Sequence, residues 1–160
     1  MKTAGDILAA DDREVWSISS TATVFEALKL MSDKNIGALP VRDKERNVVG
    51  IFSERDYARK VALLGRTAHE TAVEAVMTPD SQMITILPET SLETCMALMT
   101  MYQIRHLPVF ARERLVGIIS SRDVVRALIQ EKYRVINSLR DVSTTLFTQD
   151  YDDYFAGGKG

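Results

Sequence analysis

Val48-Val49-Gly50-Ile51-Phe52-Ser53-Glu54-Arg55-Asp56 and Leu115-Val116-Gly117-Ile118-Ile119-Ser120-Ser121-Arg122-Asp123 follow one pattern. Between positions 48 and 61, seven of fourteen residues recur 67 places further on: Val49, Gly50, Ile51, Ser53, Arg55, Asp56 and Arg59. A duplicated core would need only the apolar members. The polar residues are repeated too, which sets a chemical requirement beside the structural one.

Upstream the repeat continues at an offset of 68, with Ile36-Gly37-Ala38-Leu39-Pro40-Val41 against Ile104-Arg105-His106-Leu107-Pro108-Val109. Further back, Val24, Ala27, Leu28 and Met31 match Leu92, Cys95, Met96 and Met99. That i, i+3, i+4, i+7 spacing is one face of a helix. The offset changes in the charged stretch Arg42 to Asn47 against Phe110 to Arg114, which reads as a turn between strands, where insertions are tolerated.

The chain is therefore expected to be α+β, built of two β-α-β-β-α units over residues 1–67 and 68–134. Residues 135–160 would be a helical extension ending in a flexible acidic tail. Units this small bury too little surface to be robust alone, so the two should pack together. Similar units pair most simply about a pseudo-twofold axis, and clefts at such an interface are preferred ligand sites.

The chain has 160 residues, of which 46% are hydrophobic and 26% charged, as in ordinary globular proteins. Its formal net charge of −2 offers no overall attraction to nucleic acid or anionic lipid. No window approaches the roughly 18 apolar residues of a membrane span, and a cytoplasmic location is expected. Cys95, the single cysteine, falls on the apolar face of a helix and reads as a small buried hydrophobe.

Thr23-Val24-Phe25-Glu26 has the form of a capping box, and Ser91 stands in the matching place of the second unit. Strands are expected at Val15 to Ile18 and Met83 to Leu87. Each Ser-x-Arg-Asp is explained in part as a helix cap, with the carboxylate at the positive end of the dipole. The arginine opposes that dipole, yet it too is repeated. A helix start that projects from a strand end suits an anion or a polar ligand. Arg105-His106, standing where the first unit has Gly37-Ala38, would form a cationic corner with Arg122 for phosphate; the plainer alternative is a surface arginine and a packed neutral imidazole.

Taken together, these residues resemble the paired CBS domain, or Bateman module, from about Asp6 to Lys132, and most of all the small stand-alone CBS-pair proteins of bacteria. The resemblance implies a regulatory sensor, not an enzyme, binding AMP, ADP, ATP, NAD(H) or S-adenosylmethionine without a required metal. It implies ribose contacts from Ser53, Asp56, Ser120 and Asp123. Phosphate contacts would come from Arg105, His106, Arg122 and Arg55. Adenine would lie by Met83, Ile84, Thr85, Leu107 and Pro108 in one cleft, and by Val15, Trp16, Ser17, Ala38, Leu39 and Pro40 in the other. Asp56 would share its cleft with Arg105, His106 and Arg122, making that cleft the better phosphate site, while Asp123 would face Arg55 and Gly37-Ala38.

Two other readings stay open. One is an enzyme using the same cleft, although no nucleophile elbow, phosphate loop or His-x-x-x-His pair is present. The other is a scaffold with vestigial clefts. A homodimer through the helical faces is expected, with an unidentified regulated protein as a further partner.

Overall fold

A computed structural model describes residues 1–11 and 14–156, with side chains placed to residue 139. The chain order is α1 (Ala4–Ala10), β1 (Ile18–Ser19), α2 (Val24–Lys34), β2 (Ala38–Arg42), β3 (Val48–Ser53), α3 (Glu54–Lys60), β4 (Thr78–Pro79), α4 (Leu92–Met101), β5 (His106–Ala111), β6 (Arg114–Ser120) and α5 (Ser121–Ala156). The architecture is α+β and duplicated.

In the first unit β1 pairs parallel with β2, β2 antiparallel with β3, and β3 antiparallel with β4. In the second, β5 and β6 form the matching hairpin. Equivalence extends to the irregularities: the register slips at Val41/Arg42 and again, 68 residues on, at Val109/Phe110. The expected strand at Val15 to Ile18 shortens to β1, and the one at Met83 to Leu87 shortens to a single bridge from Ile86 to Val109. Both segments lie outside a two-stranded hairpin, so only the residues beside its first strand find ladder partners.

Each unit has its own core. Val24, Ala27, Met31, Leu39, Val41 and Phe52 cluster with Val73 and Val76, whereas Leu92, Cys95, Met99, Leu107, Val109 and Ile119 cluster with Ala4. Cys95 is fully buried, and burial pushes its thiol pKa up, which fits its packing role.

The core memberships show a crossing that the boundary at 67/68 conceals. The linker docks on the first unit, with the Val24 amide donating to Thr71 O at 2.8 Å and the Val73 amide to Ala22 O at 2.9 Å. The N-terminal segment makes the equivalent bonds on the second unit: the Leu92 amide donates to Lys2 O at 3.2 Å and the Ala4 amide to Thr90 O at 2.9 Å. Residues 1–10 therefore pack with the second unit, not the first. Thr3 caps α1 with Asp6 as partner in a capping box.

This crossing explains the repeated glycine. A Cβ on Gly50 would stand 2.6 Å from Thr78 O and 2.8 Å from Met77 Sδ, and one on Gly117 would stand 2.5 Å from Leu8 Cδ2. The linker and the N-terminal helix each lie directly on their strand at its glycine.

α5 starts at the end of β6 and its helical backbone continues to Ala156, into the segment expected to be a flexible acidic tail. The residues assigned to a flexible tail contain no glycine or proline before Gly157, so nothing breaks the helix earlier. Positions 157–160 of that tail lie outside the described residues.

Candidate functional site

The two helix entrances are built alike. The Ser53 hydroxyl donates to Asp56 Oδ2 at 2.9 Å, as does the Ser53 amide, and the Asp56 amide returns to Ser53 Oγ at 3.3 Å. In the second unit the Ser120 hydroxyl and amide donate to Asp123 Oδ2 at 2.6 and 2.9 Å, with the Asp123 amide donating back at 3.2 Å. Each motif is thus a capping box, and one carboxylate oxygen of each aspartate is held by it.

The surroundings of the two carboxylates differ. Asp56 is buried, and its Oδ1 meets Lys60 Nζ at 2.8 Å, while the same ammonium donates to Val76 O at 3.0 Å. Asp56 thereby ties the linker to the first unit. At the place equivalent to Lys60 the second unit has Ala127, and Asp123 instead lines a cavity of about 880 Å3 between the units.

That cavity gathers Ser120, Asp123, Arg105, His106 and Arg122 from the second unit with Val15, Trp16, Gly37 and Ala38 from the first. The expected grouping is corrected here: the cationic corner belongs with Asp123 and Gly37-Ala38, and not with Asp56. The cause is the direction of β2 and β5. Gly37, just before β2, meets His106, the first residue of β5, so that a Cβ on Gly37 would stand 3.1 Å from both Cε1 and Nε2 of His106. The Glu54 amide donates to Gly37 O and the Ser121 amide to Arg105 O, the same bond in each unit.

Other expected residues sit elsewhere. Leu39, Pro40, Leu107 and Pro108 are buried strand residues that do not line the cavity. Met83, Ile84 and Thr85 lie outside it, as does Ser53; Ser17 lines a different cleft. Arg55 donates from Nη1 to the carbonyl of Gln103, which caps the turn after α4 at φ 52°. The repeated arginine therefore joins the units in its first copy, while Arg122 in the second lines the cavity.

The cavity also contains residues that the sequence reading passed over. Arg126 lies one turn beyond Arg122, and its identity with Arg59 together with the i, i+4 spacing was the available signal. Lys34 Nζ sits 3.8 Å from the centroid of the Trp16 ring, making a cation–π wall. Among the described residues, four cationic side chains, Lys34, Arg105, Arg122 and Arg126, line the cavity with four carboxylates, Asp11, Glu14, Glu54 and Asp123. Burial holds the His106 pKa below its usual value; Asp123 opposes that shift and Arg105 and Arg55 add to it. His106 is thus a neutral donor and acceptor near pH 7.

Comparison with known proteins agrees with the duplication. The CBS domain matches residues 4–63 and 73–130. A CBS domain-containing protein of Arabidopsis thaliana, CBSX3, mitochondrial, is 39% identical over 133 residues, covering 82% of this chain and 63% of that relative's length. The structure of a putative signal-transduction protein with CBS domains from Burkholderia ambifaria superposes with a TM-score of 0.76 at 42% identity, covering 81% of this chain and 95% of the other. The CBS domain pair of protein MJ0100, solved in complex with 5′-methylthioadenosine and S-adenosyl-L-methionine, gives a TM-score of 0.69 at 27% identity over 82% of this chain and 98% of its own. With two matched domains, two equivalent cores and a cleft between them, this chain belongs to the CBS domain family as a tandem pair.

Proposed function

We propose that this protein is a regulatory module that binds an adenosine-containing ligand in the Asp123 cleft and signals by a change in the arrangement of its units. The observation that carries this reading is the single cavity lined by Asp123, Trp16 and the Arg105-His106-Arg122 corner. A carboxylate accepts both hydrogens of a ribose diol, Trp16 and Val15 offer apolar surface to a base, and the arginines suit an anion. The MJ0100 pair, which holds adenosine-based ligands, supports the ligand class.

Both units line the cleft, so a ligand there contacts Gly37 and Ala38 on one side and Asp123 and Arg105 on the other. It shifts the arrangement only to the extent that it binds one geometry more tightly than another. The charges that the described residues bring to the cleft balance, which favours a ligand of low net charge or a zwitterion over a triphosphate. Catalysis is the weaker reading, because the Ser120 hydroxyl is committed to capping at 2.6 Å from Asp123.

The second part of the proposal is self-association through α5, on which Val125, Ile129, Val135, Ile136 and Leu139 are exposed. The test of the ligand reading is calorimetric titration with AMP, ATP, NAD(H), S-adenosylmethionine and adenosine, with mass spectrometry of small molecules released from the purified protein. AMP or S-adenosylmethionine should bind at least as tightly as ATP. Absence of binding by every adenosine compound would leave the scaffold reading in its place.

A further inference from the structure

A second cleft, of about 720 Å3, lies between the tips of the two hairpins. Arg42 and Arg46 line it from the β2–β3 hairpin and Arg114 from the β5–β6 hairpin, against one carboxylate among the described residues, Glu113. Its balance is thus cationic, unlike that of the Asp123 cleft, in a chain whose overall formal charge is −2. None of the three guanidinium groups has an ion pair among the described residues. The Arg42 side chain is held in place, its Nη1 donating to Arg46 O at 2.7 Å, in a turn where Arg46 adopts φ 68°.

Three guanidinium groups converging on one concave surface repel one another unless an anion lies between them. Arginine matches phosphate oxygens in bidentate fashion. We infer that this cleft binds a polyphosphate group, which would clamp the two hairpins together because the arginines come from both units. Phe110 and Leu115, also in the lining, add no negative charge. The site stands apart from the ligand reading above, since neither Asp123 nor Trp16 lines it. Val15 and Val116 border both clefts, so the polyphosphate can be free or can be the tail of a nucleotide lodged next door.

The test is calorimetric titration of tripolyphosphate, at constant ionic strength, into the unaltered protein, an Arg46→Gly/Arg114→Ala variant and an Arg122→Ala variant. Glycine suits the positive φ at position 46, and both arginines are exposed, so the fold should persist; a circular dichroism melt checks it. The double variant should weaken tripolyphosphate about tenfold or more, while Arg122→Ala leaves it within about twofold. Trp16, the only tryptophan, should show no fluorescence response to tripolyphosphate. Parallel titrations of ATP and adenosine identify the source: a loss for ATP without a loss for adenosine in the double variant points to a nucleotide tail, and a loss for tripolyphosphate alone to a free anion. No binding to the unaltered protein, equal binding by the double variant, or loss in Arg122→Ala with a Trp16 response would overturn the proposal.

Discussion

The imidazole of His106 lies so close to Gly37 that a Cβ there would stand 3.1 Å from two of its ring atoms. The contact joins the residue before β2 to the first residue of β5 across the unit boundary, and both residues line the Asp123 cleft. Gly37→Ala should therefore cost about 1 kcal/mol or more by forcing the ring aside. Combining it with His106→Ala should recover much of that loss, because the two residues are coupled. Urea denaturation of both single variants and the double variant measures the coupling, and strictly additive effects would show that the ring moves away freely.

Because α1 packs on the second unit, deleting residues 1–10 should loosen that unit and spare the first. Ala4 is fully buried in the second core, with Ile7 and Leu8 packed around it. Hydrogen exchange should accelerate at amides of β5 and β6 while those of β2 and β3 keep their protection. Uniform acceleration in both hairpins would mean that the units unfold as one.

His106 should make stability fall as pH drops. Its folded pKa lies below 6.5, chiefly through burial, so the unfolded chain binds the proton more readily. The contribution is intact above pH 6.5, declines as pH falls through that value, and levels off below the folded pKa. His106→Gln should flatten the curve of urea midpoint against pH between about 7 and 5. An unchanged slope would place the acid sensitivity elsewhere.

The repeat, the two hairpins and the capping boxes were legible in the sequence because each depends on near neighbours: Thr23 with Glu26, Ser53 with Asp56, Pro40 with Ile51 across a short turn. The docking of α1 was not, although Thr3-Ala4-Gly5-Asp6 carries its own cap signal. Which unit receives a segment depends on the closure of the whole fold, and equivalence to the linker gave no direction. The grouping of the site failed for the same reason. The sequence shows Asp56 and Asp123 as equals, but with Lys60 in one unit and Ala127 in the other, Asp56 ties to the linker through Lys60 while Asp123 lines the cavity.

The exposed apolar residues of α5 should bring two copies together. Val125, Ile129, Ile136 and Leu139 recur at roughly helical spacing, and such a stripe is normally covered. Sedimentation at micromolar concentration should give twice the monomer mass, and an Ile129→Glu/Ile136→Glu variant should give the monomer. A monomeric unaltered protein, with and without nucleotide, would contradict the expectation.

A ligand seated against Asp123 and Trp16, as proposed, is read by Trp16 fluorescence. An adenosine ligand that binds by calorimetry should change the emission. Asp123→Asn, which keeps a capping side chain, should weaken that ligand about tenfold or more by removing charge-assisted hydrogen bonds worth roughly 1.5 to 3 kcal/mol each. Asp56→Asn should lower stability and leave affinity within about twofold, since Asp56 is engaged by Lys60 and the linker. Undiminished affinity in Asp123→Asn, or binding that leaves Trp16 silent, would place the ligand elsewhere.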